Sequence, residues 1–479
     1  MSEKRIQIRR LLIFVLPFLS GTYGLWQLEH ESLWDAMFLS ICMYLMNYGD
    51  SAPNLFVEIA RWSAPLMTAG GIVLAISALR TRWHNYLKYL RGGSVAVYGD
   101  TKDTDDVLAE LGSRGIAGGD SFVAASRYIL LGDETFNISF YQANRRRLEG
   151  KPVCFKCSSL RAQTSIGGDL KLFSPYETAA RLFWKQAGLA ETIRQKGSDL
   201  TIAVIGFGTL GEELITWGLL DNIFSPSQKL SYHIFGGGTE FSCMHHELSS
   251  ITDPVFFHDE PWYASVPLLK ETDRIVVCEQ KEQTELLRDL LSTLPGQTFD
   301  VFLSEDTPLE FFEEQDRLRA FCWKDEALKL KNLLEDHLIE LAKRINLRYA
   351  HLYNGAEETN AVKEAEWKKL DSFTRYSNIS SADYHEIRLQ MLRDWNLPAD
   401  YAALPEDRLE LLAELEHIRW CRYHYLNNWC FGIPENGAAK DKKKRIHHDL
   451  IPYDRLTEAE KQKDRETIRT LMSVDVSGL

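Results

Sequence analysis

The chain opens with two uncharged runs, Leu11–Leu28 and Trp62–Leu79, each 18 residues long. A helix rises about 1.5 Å per residue and a bilayer core is about 30 Å thick, so each run with its flanks predicts a membrane-crossing helix. Between them, Ser32–Tyr44 is apolar but too short to cross. It predicts a re-entrant helix with Ser32 as N-cap and Asp35 in the first turn, followed by irregular backbone from Tyr44 to Pro53. Past residue 92 the pattern changes. Short apolar runs at Ser94–Gly99, Tyr128–Asp133, Pro152–Cys157, Thr201–Ile205, Arg274–Cys278 and Phe299–Leu303 read as buried strands. They alternate with amphipathic stretches at Asp105–Gly112, Phe140–Leu148 and Glu212–Leu220, which predicts parallel α/β sheets. From residue 326, Leu328, Leu330, Leu333, Leu334, Leu338, Leu341 and Ile345 keep helical spacing and predict one helix over 326–351. A polar stretch follows at 354–369, then a segment in which Ser380 or Ser381 is placed to cap a helix.

Charge gives the first part an orientation. Lys4, Arg5, Arg9 and Arg10 precede the first run, and Arg80, Arg82, Lys88 and Arg91 follow the second. The stretch between carries Glu29, Glu31, Asp35, Asp50 and Glu58 against Arg61 alone. The positive-inside rule then predicts a multi-pass inner-membrane protein with both termini cytoplasmic and membrane lipid as a partner. A signal peptide is the competing reading, but the first run is long for one and no small-x-small cleavage site follows. Residues 1–92 are net +3, so the remaining 387 hold −16 of the total −13. That acidity argues against nucleic acid as a partner, since phosphate binding depends on Lys and Arg. The eight cysteines are scattered, which suits a reducing compartment; Cys154 and Cys157 form the one Cys-x-x-Cys and lack two further ligands for zinc.

Three stretches resemble known families. Tyr48, Gly49, Asp50 and Pro53 match the pore loop of potassium channels, with Leu45, Met46 and Asn47 standing where that pattern has Thr, Val and Gly. The resemblance implies a homotetramer whose selectivity filter is Leu45, Met46, Asn47, Tyr48, Gly49 and Asp50. It implies permeation by K+ or another monovalent cation, with selectivity altered by the departures. Gly70 and Gly71, midway along the second run, are the candidate gating hinge, and helix packing is the alternative role. A pore-like fold that only anchors and tetramerises is the competing reading.

Further on, Gly206-Phe-Gly208-Thr209-Leu210-Gly211 lies between a strand and a helix, the context in which G-x-G-x-x-G binds phosphate. A ribose-binding acid should follow the second strand, yet Gly236-Gly-Gly238 stands there and Glu240 comes late. A nucleotide held by its phosphates and an empty structural turn both remain open. The first lobe lacks the second and third glycines after Gly99. A pore loop joined to two such lobes resembles the RCK (Trk-type) Rossmann regulators of ligand-gated channels.

The last resemblance is to the ryanodine-receptor repeat (RyR) domain. It is carried by His417-x-x-Trp420, Trp429-x-x-Gly432, the basic loop Lys442–Arg445, His447, Leu450 to Tyr453, and the closing helix with Lys461 and Asp464. His448 replaces the proline usual after that His. His417, Trp420, Trp429, Lys444, Arg445, His447 and Tyr453 are the ligand candidates, because aromatic faces beside cations suit a base with phosphates. Core aromatics under a solvated loop are the alternative.

The expected domains are therefore 1–91 (pore, with the loop at 32–53), 92–196 and 197–325 (Rossmann-like lobes), 326–404 (helical connector) and 405–479 (RyR). The fold class is membrane α, two transmembrane helices plus pore loop, with cytosolic α/β lobes and a small mostly α C-terminal domain. The expected function is a ligand-gated cation channel under a nucleotide-like signal, a recipe suited to a defence effector; a non-conducting membrane-anchored nucleotide sensor is the alternative. No catalytic or metal constellation stands out, so an enzyme is not expected.

Overall fold

The computed structural model describes residues 14–99, 102–119, 121–158, 170–197, 199–334 and 337–473. Lys4, Arg5, Arg9, Arg10 and the start of the first apolar run lie outside them. The chain forms two compact units, residues 1–94 with 123–126, and the remainder.

The first unit is helical. Helix α1 covers residues 14–23 and runs into a π-turn, Gly24–Leu28; α2 spans Leu33–Tyr44 and α3 spans Leu55–Leu90. Ser32 caps α2, accepting the Asp35 N–H at 3.1 Å. Asn54 caps α3 and ties it back to the π-turn, its amide donating to the Gly24 carbonyl at 3.1 Å. Gly21 and Gly24 leave the room this packing needs: a Cβ on Gly24 would lie 2.7 Å from the Asn54 side chain.

Among the described residues no helix is both long and apolar enough to cross a membrane. This corrects the expected membrane α fold class, the multi-pass inner-membrane location and the channel built on two spans. Helix α3 is long, but Glu58, Arg61, Arg80, Arg82 and Lys88 lie on it.

The second unit begins with a five-stranded parallel sheet. Its elements are β1 (Val95–Tyr98), α4 (Lys102–Leu111), β2 (Gly115–Ala117), β3 (Arg127–Leu130), α5 (Glu134–Leu148), β4 (Val153–Lys156) and β5 (Leu170–Phe173), in the spatial order β2-β1-β3-β4-β5. Cys154 and Cys157, in and just after β4, are buried and not joined in a disulfide. Two helices, α6 (Pro175–Gln186) and α7 (Leu189–Lys196), lead into a second sheet. That sheet and its helices comprise β6 (Asp199–Ile205), α8 (Gly208–Asp221), β7 (Lys229–Phe235), α9 (Thr239–Met244), β8 (Val255–His258), α10 (Val266–Lys270), β9 (Arg274–Val277), α11 (Gln283–Thr293), β10 (Phe299–Phe302) and β11 (Leu318–Phe321).

Its order, β11-β10-β9-β6-β7-β8, is all parallel and reverses direction between β6 and β9, the doubly wound arrangement whose crevice lies at that switch point. Continuous apolar runs such as Ile202–Ile205 follow from burial on both faces, the β6 core being fully covered.

The remainder is helical, with one small sheet. The single helix expected over 326–351 is interrupted at Leu328–Lys329: α12 (Trp323–Ala327) ends before it, and α13 (Leu330–Leu334) and α14 (His337–Asn354) follow. They are followed by α15 (Asn360–Lys369), α16 (Ser372–Asp394), α17 (Glu406–Leu426), β12 (Cys430–Phe431), β13 (Lys440–Asp441), β14 (Ile446–His447) and α18 (Glu458–Met472). Asp371 caps α16, so Ser380 and Ser381 fall inside that helix instead of capping one.

Helix α17 is fastened to the second sheet's helices by buried polar bonds. Arg422 pairs with Asp253 at 2.8 Å and donates to the Leu219 carbonyl at 3.0 Å, while His245 bonds the Leu426 carbonyl at 2.5 Å. Tyr384 of α16 donates to the Ile223 carbonyl.

Gly206 and Gly208 separate two reasons for glycine. Both have positive φ, +93° and +60°, but a Cβ on Gly206 would sit 2.4 Å from the Glu279 backbone nitrogen, whereas Gly208 faces open space. Gly206→Ala is expected to cost more than about 2 kcal/mol and Gly208→Ala about 1–2 kcal/mol, read from urea midpoints of the full chain.

Candidate ligand cavity

A cavity of about 250 Å³ opens where α14, α16, α17 and α18 meet the β13–β14 ribbon. Local sequence explains the meeting. Pro405 opens α17, and Thr457 caps α18 by accepting the Glu460 N–H at 3.3 Å. Asn428 and Arg445 turn the chain with positive φ, +59° and +51°, so that β12, β14 and β13 form a three-stranded sheet beside α17.

One wall is a buried ion cluster. Glu416 accepts from Arg419 at 2.8 and 3.0 Å, from Ser381 at 2.8 Å and from Arg388, while Ser380 accepts from Arg419 at 2.9 Å. Burial alone would raise the Glu416 pKa, but Arg419 and Arg388 outweigh it and hold it at about 2. The interior Ser380 and Ser381 therefore serve this cluster.

His417 forms a second anchor. One ring nitrogen lies 2.8 Å from the Ile451 carbonyl and the other 3.5 Å from Asp464. Burial opposes the charge, yet the Asp464 contact raises the His417 pKa to about 11, so the pair clamps α17 to α18.

The remaining lining is different in kind. Asn346, His424 and His447 are each more than nine-tenths buried. The Asn346 amide makes no side-chain hydrogen bond among the described residues. His424 bonds the Trp420 carbonyl through Nδ1 at 2.8 Å, and His447 accepts the Asp449 N–H through Nδ1 at 3.1 Å; neither Nε2 has a partner among the described residues. Burial lowers both imidazoles, to about 3 and about 4, so both are neutral at pH 7. Lys440, on the rim, forms no ion pair among the described residues, whereas Arg348 and Lys463 are paired with Glu466 and Glu460. Tyr349, Tyr353 and Trp420 supply ring surface.

His447, His448 and Asp449 bring ligand atoms within 4.8 Å of one another. His447 already uses its Nδ1, and Lys440 and Lys463 act on its imidazole, so the local field opposes a metal cation.

The predicted RyR candidates divide. His417, Trp420 and His447 line this cavity. Trp429 stacks on Phe373 at 5.2 Å and, with Arg445, faces a neighbouring cavity of about 350 Å³ that shares Phe373. Tyr453 is buried and donates to Glu410 at 3.0 Å, and Lys444 pairs with Glu435 at 2.8 Å on the surface. Sequence reasoning missed Asn346, His424 and Lys440. His424 lies one helical turn beyond Trp420, a signal that was present; Asn346 belongs to a helix outside the motif.

The other candidates lie apart. Gly206 presses on Glu279, and Gly208, Thr209, Leu210 and Gly211 form the first turn of α8. Phe207 packs edge-on against Phe241 and Phe257, with centroids at 5.8 and 6.0 Å, over the end of β7 where a ribose acid was sought. A Cβ on Gly238 would strike the Phe257 ring, so the glycines serve this packing. In the first unit, Leu45 and Met46 are exposed and Met46, not Asn47, has positive φ (+58°). The Asn47 backbone N–H donates to the Cys42 carbonyl at 3.0 Å, Tyr48 and Ala52 each pack against the cluster around Met43 and Val57, and nothing lies within 4 Å of a Cβ on Gly49; Asp50 follows. Helix α3 runs unbroken through Gly70 and Gly71, which face open space.

The fold and cavity define a class: parallel Rossmann-type sheets joined to a helical ligand-sized chamber. Within it, residues 396–476 match the RyR domain family, so the chain contains that domain at its C-terminal end. No curated protein matches the chain.

Two tests follow. Glu416→Gln, which leaves Arg388 and Arg419 buried without their anion, is expected to cost about 3–5 kcal/mol in denaturant unfolding. His424 and His447 have folded pKa values below the unfolded 6.5, so stability is expected to fall as pH drops from 6.5 toward about 4, and on toward about 3. His447→Gln should flatten the upper part of that limb in thermal melts.

Proposed function

We propose that the chain is a ligand sensor in which the RyR cavity takes a nucleotide-like small molecule and passes occupancy to the Rossmann-type lobes. The observation that carries this reading is that Asn346, His424 and His447, buried in the cavity lining, keep an amide and two imidazole Nε2 atoms without a partner among the described residues, beside a Lys440 that forms no ion pair there. These atoms keep access to the cavity, so a ligand that completes them exchanges bonds to water for bonds to itself, a net gain of about 0.5–1.5 kcal/mol each. At about 250 Å³ the chamber suits one ring system and its substituents, just below the range of about 300–1,000 Å³ usual for ligand sites.

The bonds from α17 to the second lobe supply the output path. Arg422, three residues past Arg419, is fixed on Asp253 and Leu219, so a shift of α17 moves the lobe's buried contacts. The lobe responds only by the ligand's differential affinity for its two arrangements.

The first unit supports self-association. Trp34, Phe38, Leu55, Trp62 and Leu66 are all at least 66% exposed, and large apolar side chains left open in this number mark an interaction surface. Further copies of the chain are the cover proposed for it. Sedimentation should show a concentration-dependent oligomer, and Trp34→Glu with Phe38→Glu should shift it to monomer; a full-length monomer at all concentrations would remove this part.

For the sensor itself, thermal shift of the full chain against a panel of nucleotides is expected to yield stabilising members. Asn346→Ala should weaken them about fivefold to tenfold, the worth of one hydrogen bond. Arg422→Met should preserve binding while abolishing ligand-dependent hydrogen-exchange protection in β6–β9. A panel with no stabilising member refutes the reading.

A further inference from the structure

We infer that the ligand is a singly phosphorylated nucleoside, with its base edge on His424 and His447 and its phosphate on Lys440. This rests on the sensor reading and narrows it.

The base end follows from tautomers that the backbone fixes. A carbonyl only accepts, so the 2.8 Å contact to Trp420 requires the proton on His424 Nδ1, leaving Nε2 a bare acceptor. An amide N–H only donates, so the 3.1 Å contact from Asp449 requires a bare His447 Nδ1 and places that ring's proton on Nε2. The two rings lie 5.9 Å apart at their centroids and both pack on Trp420, at 4.0 and 5.0 Å. The cavity lining thus includes one acceptor and one donor, on neighbouring rings and both neutral. A carboxylate or phosphate, which only accepts, would leave the His424 acceptor facing a like lone pair. Every nucleobase carries a donor beside an acceptor on one edge and satisfies both.

The anionic end follows from charge. Arg348, Lys463, Arg419 and His417 each already face a carboxylate, so adding anions beside them meets no free cation. Lys440 makes no ion pair or side-chain hydrogen bond among the described residues. One unpaired cation matches one phosphate. A second or third phosphate would meet Glu460, Asp449 and Glu466 instead, and the cavity volume leaves no place for a second nucleoside.

The test is calorimetric titration of the full chain with adenosine, its mono-, di- and triphosphates, its cyclic monophosphate, and the same guanosine series. The monophosphates, cyclic included, are expected to bind at least about tenfold more tightly than the nucleosides, with no gain from further phosphates. Lys440→Met should bring a monophosphate to the nucleoside level, and Lys440→Arg should restore it. His424→Phe should weaken nucleoside and monophosphate by the same factor. Tighter triphosphate binding, or a Lys440→Met protein that keeps the monophosphate preference, overturns the inference while leaving the sensor reading intact. Binding by no member of either series fails the sensor reading itself. Thermal melts of each variant separate loss of binding from loss of fold.

Discussion

The arrangement depends on one buried carboxylate. Glu416 holds three donors from two helices, and without it Arg388 and Arg419 would be uncompensated cations inside the protein. Burying an ion pair is rarely a net gain over apolar packing; what it supplies is a demand for one geometry, because only one placement of α16 against α17 pairs every charge. Those two helices form walls of both cavities beside the RyR domain. The cluster therefore fixes the chamber's shape more than it adds to its stability.

From that cluster, polar bonds continue in one direction. Ser381 and Arg388 lie on α16, whose Tyr384 reaches the Ile223 carbonyl and whose Asp383 pairs with Arg181 and Lys185 of α6 at 2.8 and 2.7 Å. Arg422 continues from α17 to Asp253, which also accepts the Leu230 N–H at the start of β7. Each of these is buried, so none can slip without exposing or orphaning a charge. A shift of α17 is resisted until several bonds exchange together, the condition for two discrete arrangements rather than a continuum. Spatial continuity is the warrant here, and exchange of these bonds on ligand binding is what would raise it to coupling.

How much of this was legible depended on how local the cause was. The Gly206 fingerprint and the apolar strands read directly, since a tight turn and double burial each impose residue types at fixed positions. The RyR stretch read because its aromatics and turn residues recur at set spacings, and residues 396–476 match that family. The spans misled because an uncharged run of 18 residues counts absences within a window, while the helix that carries the second run, Leu55–Leu90, extends beyond it and bears Glu58, Arg61, Arg80, Arg82 and Lys88. The helix over 326–351 failed for another reason: leucines at helical spacing persist across breaks at Leu328–Lys329, where Lys329 begins a new turn by accepting from Asn332 at 2.9 Å. Ser380 and Ser381 resembled caps because Ser favours helix ends, yet their partners, Arg419 and Glu416, lie 39 and 35 residues away.

The same distinction explains why the basic loop drew attention away from the cavity. Lys442, Lys443 and Lys444 are conspicuous in sequence, but the loop carries its own answer: Asp441 accepts the Lys443 and Lys444 N–H groups, Lys442 pairs with Asp371, and Lys444 with Glu435. A cation already paired offers a ligand little, because the new attraction must first replace the old one and the site gains only the difference. What a ligand finds instead is the less visible set, an imidazole acceptor, an imidazole donor, an amide and one lysine, none of them paired within the fold. With the surrounding charges cancelled internally, the proposed ligand would be selected by hydrogen-bond pattern rather than by bulk attraction, so its binding should depend little on ionic strength except through Lys440.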